Sequence, residues 1–181
     1  MYAGIDPSVR NTGVVVLHDT GELACSCNGK EAYRGKNFAT DVARYICQAD
    51  YIVRHLQQYD IRSIAYEDYS FNSVHRAFTL AEYGGILKAR LHEALHVPLL
   101  LVSPSTNKKF ATGYGYAEKH MVMRQAIAEC ADLYDASDDI CDAYFLAKYA
   151  LYKDNAALAV RLDKGNDNLR LRLEVVTHDT R

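Results

Sequence analysis

Three short apolar runs open this chain with little sequence between them: Tyr2 to Asp6, Thr12 to His18 with its Val14-Val15-Val16, and Glu22 to Cys27 after a Thr-Gly turn. Parallel strands need a crossover of a dozen or more residues, so gaps this short specify antiparallel neighbours. The chain begins as a meander. Its character then changes. From about Thr40 to Tyr59, Val42, Tyr45/Ile46, Ala49, Ile52/Val53 and Leu56 recur at helical spacing, while Asp41, Arg44, Gln48 and Arg54 lie off that stripe. Ser63 to Glu67 reads as a strand running into carboxylates, and about His75 to Ala94 as a helix interrupted by Gly84-Gly85. Two mid-helix glycines cost about 1 kcal/mol each relative to alanine, so they mark a close backbone approach.

Val97 to Val102 is an apolar strand ending at Ser103-Pro104. A lysine-bearing segment and the turn-like Gly113-Tyr114-Gly115 lead to a helix from Ala117 to about Ala131, and a last core helix starts at its N-cap Ser137 and runs to about Lys153. The order βββ-α-β-α-β-α-α predicts a mixed α/β domain over residues 1–153 with a five-stranded, partly antiparallel sheet. Residues 154–181 differ. Leu169, Leu171, Leu173 and Val175 alternate with Arg170, Arg172 and Glu174, and Asp163 to Asp167 is turn chemistry after the run Ala157 to Leu162. That pattern predicts a C-terminal β-hairpin.

With 21 basic against 23 acidic residues the formal charge is −2, which argues against a strongly basic nucleic-acid binder. It leaves room for a nuclease, whose site concentrates acids. No apolar run approaches the roughly 18 residues that span a bilayer, and the N-terminus carries no leader pattern, so a soluble cytoplasmic protein is expected. Five cysteines match no zinc template and read as reduced thiols.

Four acids stand where chemistry would use them. Asp6 and Glu67 end two strands, and Asp139 and Asp142, three apart, share a face at the start of the last core helix. Asp138 and Asp142 share a face as well, which leaves the choice between Asp138 and Asp139 open. Singly, each acid could serve a turn, a strand end or a helix dipole. Together they favour hard divalent cations, because crowded carboxylates repel one another unless neutralised.

The chain resembles the RuvC Holliday junction resolvases, which have an RNase H-like fold. Gly4-Ile5-Asp6-Pro7 with Arg10, Thr12 and Gly13 is similar to their first motif, and Glu67 to their second acid. Lys108-Lys109 followed by Gly113-Tyr114-Gly115-Tyr116-Ala117-Glu118-Lys119 resembles their basic segment, and Asp139-Ile140-Cys141-Asp142-Ala143 the opening of their last helix. The resemblance implies a homodimeric endonuclease that makes paired nicks in four-way DNA junctions during recombination and repair. It implies two Mg²⁺ per active site, replaceable by Mn²⁺, held by Asp6, Glu67, Asp139 and Asp142, and no nucleotide cofactor. Lys108 and Lys119 would act at the scissile phosphate, with Lys109 and Arg10 contacting DNA. For Lys108-Lys109 the plain alternative is a solvated pair.

Family members carry an aromatic shortly after the second acid; here Ser70 takes that place, flanked by Tyr69 and Phe71. Either ring could stack on a base or pack in the core or a dimer interface. The C-terminal segment has no counterpart in the family core; its basic residues could extend DNA contact, while its leucines pair across a dimer or cover the core. Rival readings are a broader branched-DNA or flap endonuclease, an actin-like phosphotransferase, for which 181 residues leave no second domain, and a non-catalytic junction binder. Setting aside the four proposed ligands leaves 19 acids against 21 basic residues, so binding should rest on a local lysine surface.

Overall fold

Five strands, β1 (Tyr2–Asp6), β2 (Gly13–Leu17), β3 (Leu23–Asn28), β4 (Ser63–Glu67) and β5 (Leu99–Val102), form one sheet in the order β3-β2-β1-β4-β5. The computed structural model describes residues 1–69, 74–156 and 169–178. The first three strands are antiparallel, with Ala3 opposite Val16 and Val15 opposite Ser26; β4 and β5 run parallel to β1, with Gly4 opposite Ala65 and Ala65 opposite Leu100. The short opening gaps therefore do what chain geometry requires of them, and helical crossovers join the parallel strands.

Strand alternation sorts the side chains into two cores. Ala3, Ile5, Val14, Val16, Ile64 and Tyr66 face α1 (Asp41–Leu56) and α2 (Val74–Leu95), meeting Tyr45, Ile52, Leu56, Tyr83 and Leu87. Thr40 caps α1 by accepting from the Ala43 N–H at 3.2 Å. The other face, with Tyr2, Val15, Leu17, Ala65 and Val102, lies under α3 (Pro104–Thr112), α4 (Lys119–Glu129), α5 (Asp138–Asp154) and α6 (Leu169–His178). Helix α5 presses hardest. A Cβ on Gly4 would lie 2.0 Å from the Ala143 carbonyl oxygen and 2.3 Å from the Ala147 nitrogen, so only glycine fits beneath it.

Two expectations need correction. The lysine-bearing segment is helix α3, capped by Ser103, whose Oγ accepts from the Thr106 N–H at 3.1 Å, and closed by left-handed Gly113. The expected C-terminal β-hairpin is not formed as drawn: Leu169–His178 is a helix, and the run 157–162 lies outside the described residues. Val175 and Val176 join the α5-side core, and Arg172 is wholly buried. A strand with its arginines facing solvent cannot satisfy that burial. The close approach expected at the glycine pair holds at Gly84, where a Cβ would meet the Tyr69 hydroxyl at 2.4 Å, whereas Gly85 faces open space.

Candidate active site

The same alternation that builds the core places the first two acids. Asp6 follows Tyr2 and Gly4 onto the α5 side of β1, and Glu67 follows Ser63 and Ala65 onto the α5 side of β4. The parallel register, with Ile5 beside Tyr66, brings both to the carboxyl end of neighbouring strands. On the opposite side of β1, Gly13 pairs with Asp6, and a Cβ there would lie 2.1 Å from the Asp139 carbonyl oxygen. The missing side chain lets the first turn of α5, with Asp139 and Asp142, sit against the strand end.

The electrostatics follow from this crowding. Burial first, then the negative charges of Glu67, Asp142 and Asp139, push the Asp6 carboxyl well above its ordinary range. Glu67 is pushed up to about 8 by burial and by Asp142. Asp139 and Asp142 rise to about 6, burial again being the main cause. Asp138 behaves oppositely: it is ion-paired with Lys119, which holds its carboxyl below the usual range, and its charge in turn helps raise Asp139 and Asp142. The two neighbours thus differ in their partners: Asp138 has a lysine, and Asp139 has the other acids.

Lys108 on α3 and Lys119 at the start of α4 both project positive charge onto Glu67 and Asp142. Lys109 is exposed, and nothing ties it to the acids. Arg10 is exposed on the β1–β2 loop and shares with Arg44, Asp41 and Leu80 an open recess of about 670 Å³. Tyr69 is half-buried, with the Lys88 ammonium 4.6 Å from its ring centroid and its hydroxyl against Gly84. Phe71 lies outside the described residues.

Sequence reasoning missed Asn107. It is 1% exposed, donates from Nδ2 to the Asp142 carbonyl at 3.2 Å, and its side chain counteracts part of the rise in Glu67. Its buried Oδ1 has no hydrogen-bond partner. It also missed how the loop after Asp6 is held. The buried Thr12 hydroxyl donates to the Ser8 carbonyl at 2.8 Å, receives Gln48 Nε2 from α1 at 2.7 Å, and lies 2.6 Å from the Tyr83 hydroxyl of α2. No sequence pattern announces either, because the partners are remote along the chain.

The donor set suits a hard cation: carboxylates that repel one another, with an orphaned amide oxygen on the helix beside them. Among the described residues no three His, Cys, Asp or Glu side chains already close around one point.

A mixed sheet with acids at the ends of two adjacent parallel strands, roofed by a helix that brings two more, defines the class of RNase H-like nucleases. Residues 2–148 match the family model of the crossover junction endodeoxyribonuclease RuvC. The chain belongs to the RuvC family, a family of divalent-metal-dependent endonucleases, and is a Holliday junction resolvase by that membership. Comparison with curated proteins gives no match. Among solved structures, Thermus thermophilus RuvC in complex with Holliday junction substrate is 20% identical, with a TM-score of 0.64, covering 83% of this chain and 92% of that one. A second Thermus thermophilus RuvC structure is 21% identical, with a TM-score of 0.62, covering 86% and 96%. These likenesses bear on the fold.

Proposed function

We propose that this protein resolves four-way DNA junctions by paired, symmetric nicks, using Asp6, Glu67, Asp139 and Asp142 to hold two Mg²⁺ ions that Mn²⁺ can replace. The gathering of these four acids at one sheet end, under the start of α5, carries the reading. Bound divalent cations supply a water activated for attack and stabilise the leaving oxygen. The chain's own part is to orient and to neutralise. The carboxylates hold their positions because Gly13 admits α5 and Thr12, Gln48 and Tyr83 fix the loop after Asp6. Lys108 and Lys119 hold the phosphate as compact point charges, Lys109 and Arg10 give the flanking backbone further purchase, and Tyr69 or Phe71, the two aromatics that follow the second acid in sequence, supplies a ring to stack on a base.

Two coordinated nicks need two sites, so a homodimer is part of this proposal. The outward side of α2, with Phe78 74% exposed and Gly85 open, supports a second copy packing there. Residues 1–153 would form the nuclease domain, with the C-terminal segment built onto it. No helix among the described residues is long and apolar enough to cross a membrane, and a cytoplasmic enzyme of a bacterium or an infecting bacteriophage is proposed. The test is cleavage with Mg²⁺ of a four-way junction beside flap, Y-shaped and linear duplex substrates. Paired nicks in the junction alone are expected. Equal cutting of flaps would move the assignment to a broader branched-DNA endonuclease.

The raised carboxylates also set a pH signature. Unfolded Asp and Glu titrate near 3.9 and 4.3. With the folded values raised, to about 6 for Asp139 and Asp142 and about 8 for Glu67, the folded chain holds the extra protons and loses stability as pH rises through this window. Mg²⁺ displaces those protons. The thermal midpoint in EDTA should fall between pH 5 and pH 8, and Mg²⁺ should raise it more at pH 8. An equal Mg²⁺ effect at both pH values would count against the four-acid site.

A further inference from the structure

Six large apolar or aromatic side chains stand well exposed among the described residues, and three of them, Tyr114, Tyr116 and Met121, fall together where α3 passes into α4. Tyr114 is 58% and Tyr116 83% exposed, and their rings meet edge to face with centroids 5.9 Å apart. The backbone beneath them is fixed. Gly113, at φ 87°, ends α3 and donates to the Lys109 carbonyl at 2.9 Å. The Thr112 hydroxyl donates to the Lys108 carbonyl at 2.9 Å and accepts from the Tyr114 N–H at 3.2 Å. A Cβ on Gly115 would lie 3.2 Å from the Ser105 carbonyl oxygen, and the Ala117 N–H donates to the Tyr114 carbonyl at 3.1 Å, with Ala117 itself buried. Two rings are thus held outward on a rigid turn, so little conformational freedom is lost when something packs on them.

Their surroundings indicate what that is. Lys108 and Lys109 precede the turn, and Lys119, His120 and Arg124 follow it; within this stretch Glu118 is the one acid, 3.2 Å from His120, and Asp138 reaches in from α5 to pair with Lys119. Lys119 is three residues beyond Tyr116, at most about 11 Å of chain, or about three nucleotide steps at 3.4 Å. The rings therefore lie a few nucleotides from the four-acid site. Aromatic faces bordered by cations fit a nucleobase whose backbone the cations hold. In continuous duplex each base face is covered by its neighbours; at a branch point some are not.

We propose that Tyr114 and Tyr116 form a stacking platform for an unstacked nucleobase at the branch point of junction DNA, and so help select branched over linear substrate. The proposal rests on the resolvase reading and deepens it. Both hydroxyl tips are dispensable for stacking, so phenylalanine should serve in their place.

The experiment titrates the full-length protein, in EDTA to prevent cleavage, onto a four-way junction carrying 2-aminopurine at each position within three nucleotides of the crossover. Linear duplex of the same sequence is the comparison. The wild-type protein should change the fluorescence at one of these positions, and Y114F/Y116F should do the same. Y114A/Y116A should lose that signal and bind the junction about 5- to 150-fold more weakly, the range for one stacked base, with duplex affinity unchanged. Circular dichroism and thermal midpoints check that the variants fold. The proposal is overturned if Y114A/Y116A binds the junction as the wild type does, or loses junction and duplex affinity in equal proportion. It is overturned equally if the phenylalanine variant fails like the alanine one, or if these rings serve only a protein partner and leave DNA binding untouched. Equal affinity of the wild-type protein for junction and duplex overturns the resolvase reading itself, with this inference.

Discussion

Asp139→Asn should lower the rate of junction cleavage by about a thousandfold or more while leaving junction binding within a few fold. Loss of one carboxylate from a cation site removes several kcal/mol of transition-state stabilisation, and each 1.36 kcal/mol is a factor of ten. Asp138→Asn is the matched comparison, one residue away on the same helix turn. It removes the exposed ion pair with Lys119, and such pairs contribute about 0–1 kcal/mol, so cleavage should fall only a few fold. Single-turnover cleavage of a labelled four-way junction, with band-shift binding in EDTA, reads both quantities. A folding defect is excluded in the same experiment: Asp139→Asn relieves like-charge crowding around Asp6, so without metal at pH 8 it should melt no lower than the wild type. If Asp138→Asn were the inactive variant, the catalytic acid would be misassigned by one residue. If neither lost activity, the four-acid site would be wrong.

That test exists because local pattern and tertiary placement carry different information. Asp6 and Glu67 were legible because both lie at strand ends with the same side-chain parity, and parity is a local property. Helical spacing alone does not separate Asp138 from Asp139, since both can share a face with Asp142, and it is the family resemblance that favours Asp139; the pairing of Asp138 with Lys119, nineteen residues away, is a tertiary contact that no local pattern carries. Helix α3 was legible in principle. Ser103-Pro104 and Gly113 are a cap, a first-position proline and a left-handed stop around nine residues, but the segment's low apolar content hid the helical period. Asn107 carries no signal, because its partners are the Asp142 carbonyl and Glu67 on other elements. The C-terminal segment failed for a sharper reason. Leu-Arg-Leu-Arg-Leu alternates perfectly, and alternation reads as strand only if the charged positions face water. Here one of those arginines is the most buried cation of the described residues, and its partner Glu129 is 43 positions upstream.

That arginine leads to the largest stability change expected of any single substitution described so far. Arg172→Met should destabilise the fold by about 2–4 kcal/mol, the cost of losing a buried ion pair together with the donor to two buried carbonyls. Arg172 lies between the Phe110 and Phe145 rings, donates from Nε to the Phe110 carbonyl at 2.9 Å and from Nη2 to the Ala111 carbonyl at 3.2 Å, and pairs with the Glu129 carboxylate at 3.2 Å through Nη1. Burial would raise the Glu129 carboxyl, but Arg172 and Lys148 outweigh it and hold it below the ordinary range. With methionine in place, Glu129 keeps Lys148 at 2.7 Å and Gln125 at 2.8 Å, and two helix-end carbonyls lose their donor. Arg172→Lys should recover little, because an ammonium cannot reach two carbonyls and a carboxylate from one planar fork. Adding Glu129→Gln to Arg172→Met should not return the loss, because Lys148 then loses the carboxylate 2.7 Å away. Denaturant unfolding of these variants measures the cycle, and a loss below about 1 kcal/mol for Arg172→Met would falsify the role given to α6. The consequence extends to the site. The two carbonyls close the last turn of α3, one turn beyond Asn107 and Lys108, so the C-terminal helix braces the element that brings both to Glu67 and Asp142. Well below the melting temperature, Arg172→Met should therefore lower the cleavage rate more than junction affinity, which a helix that only covers the core would not do.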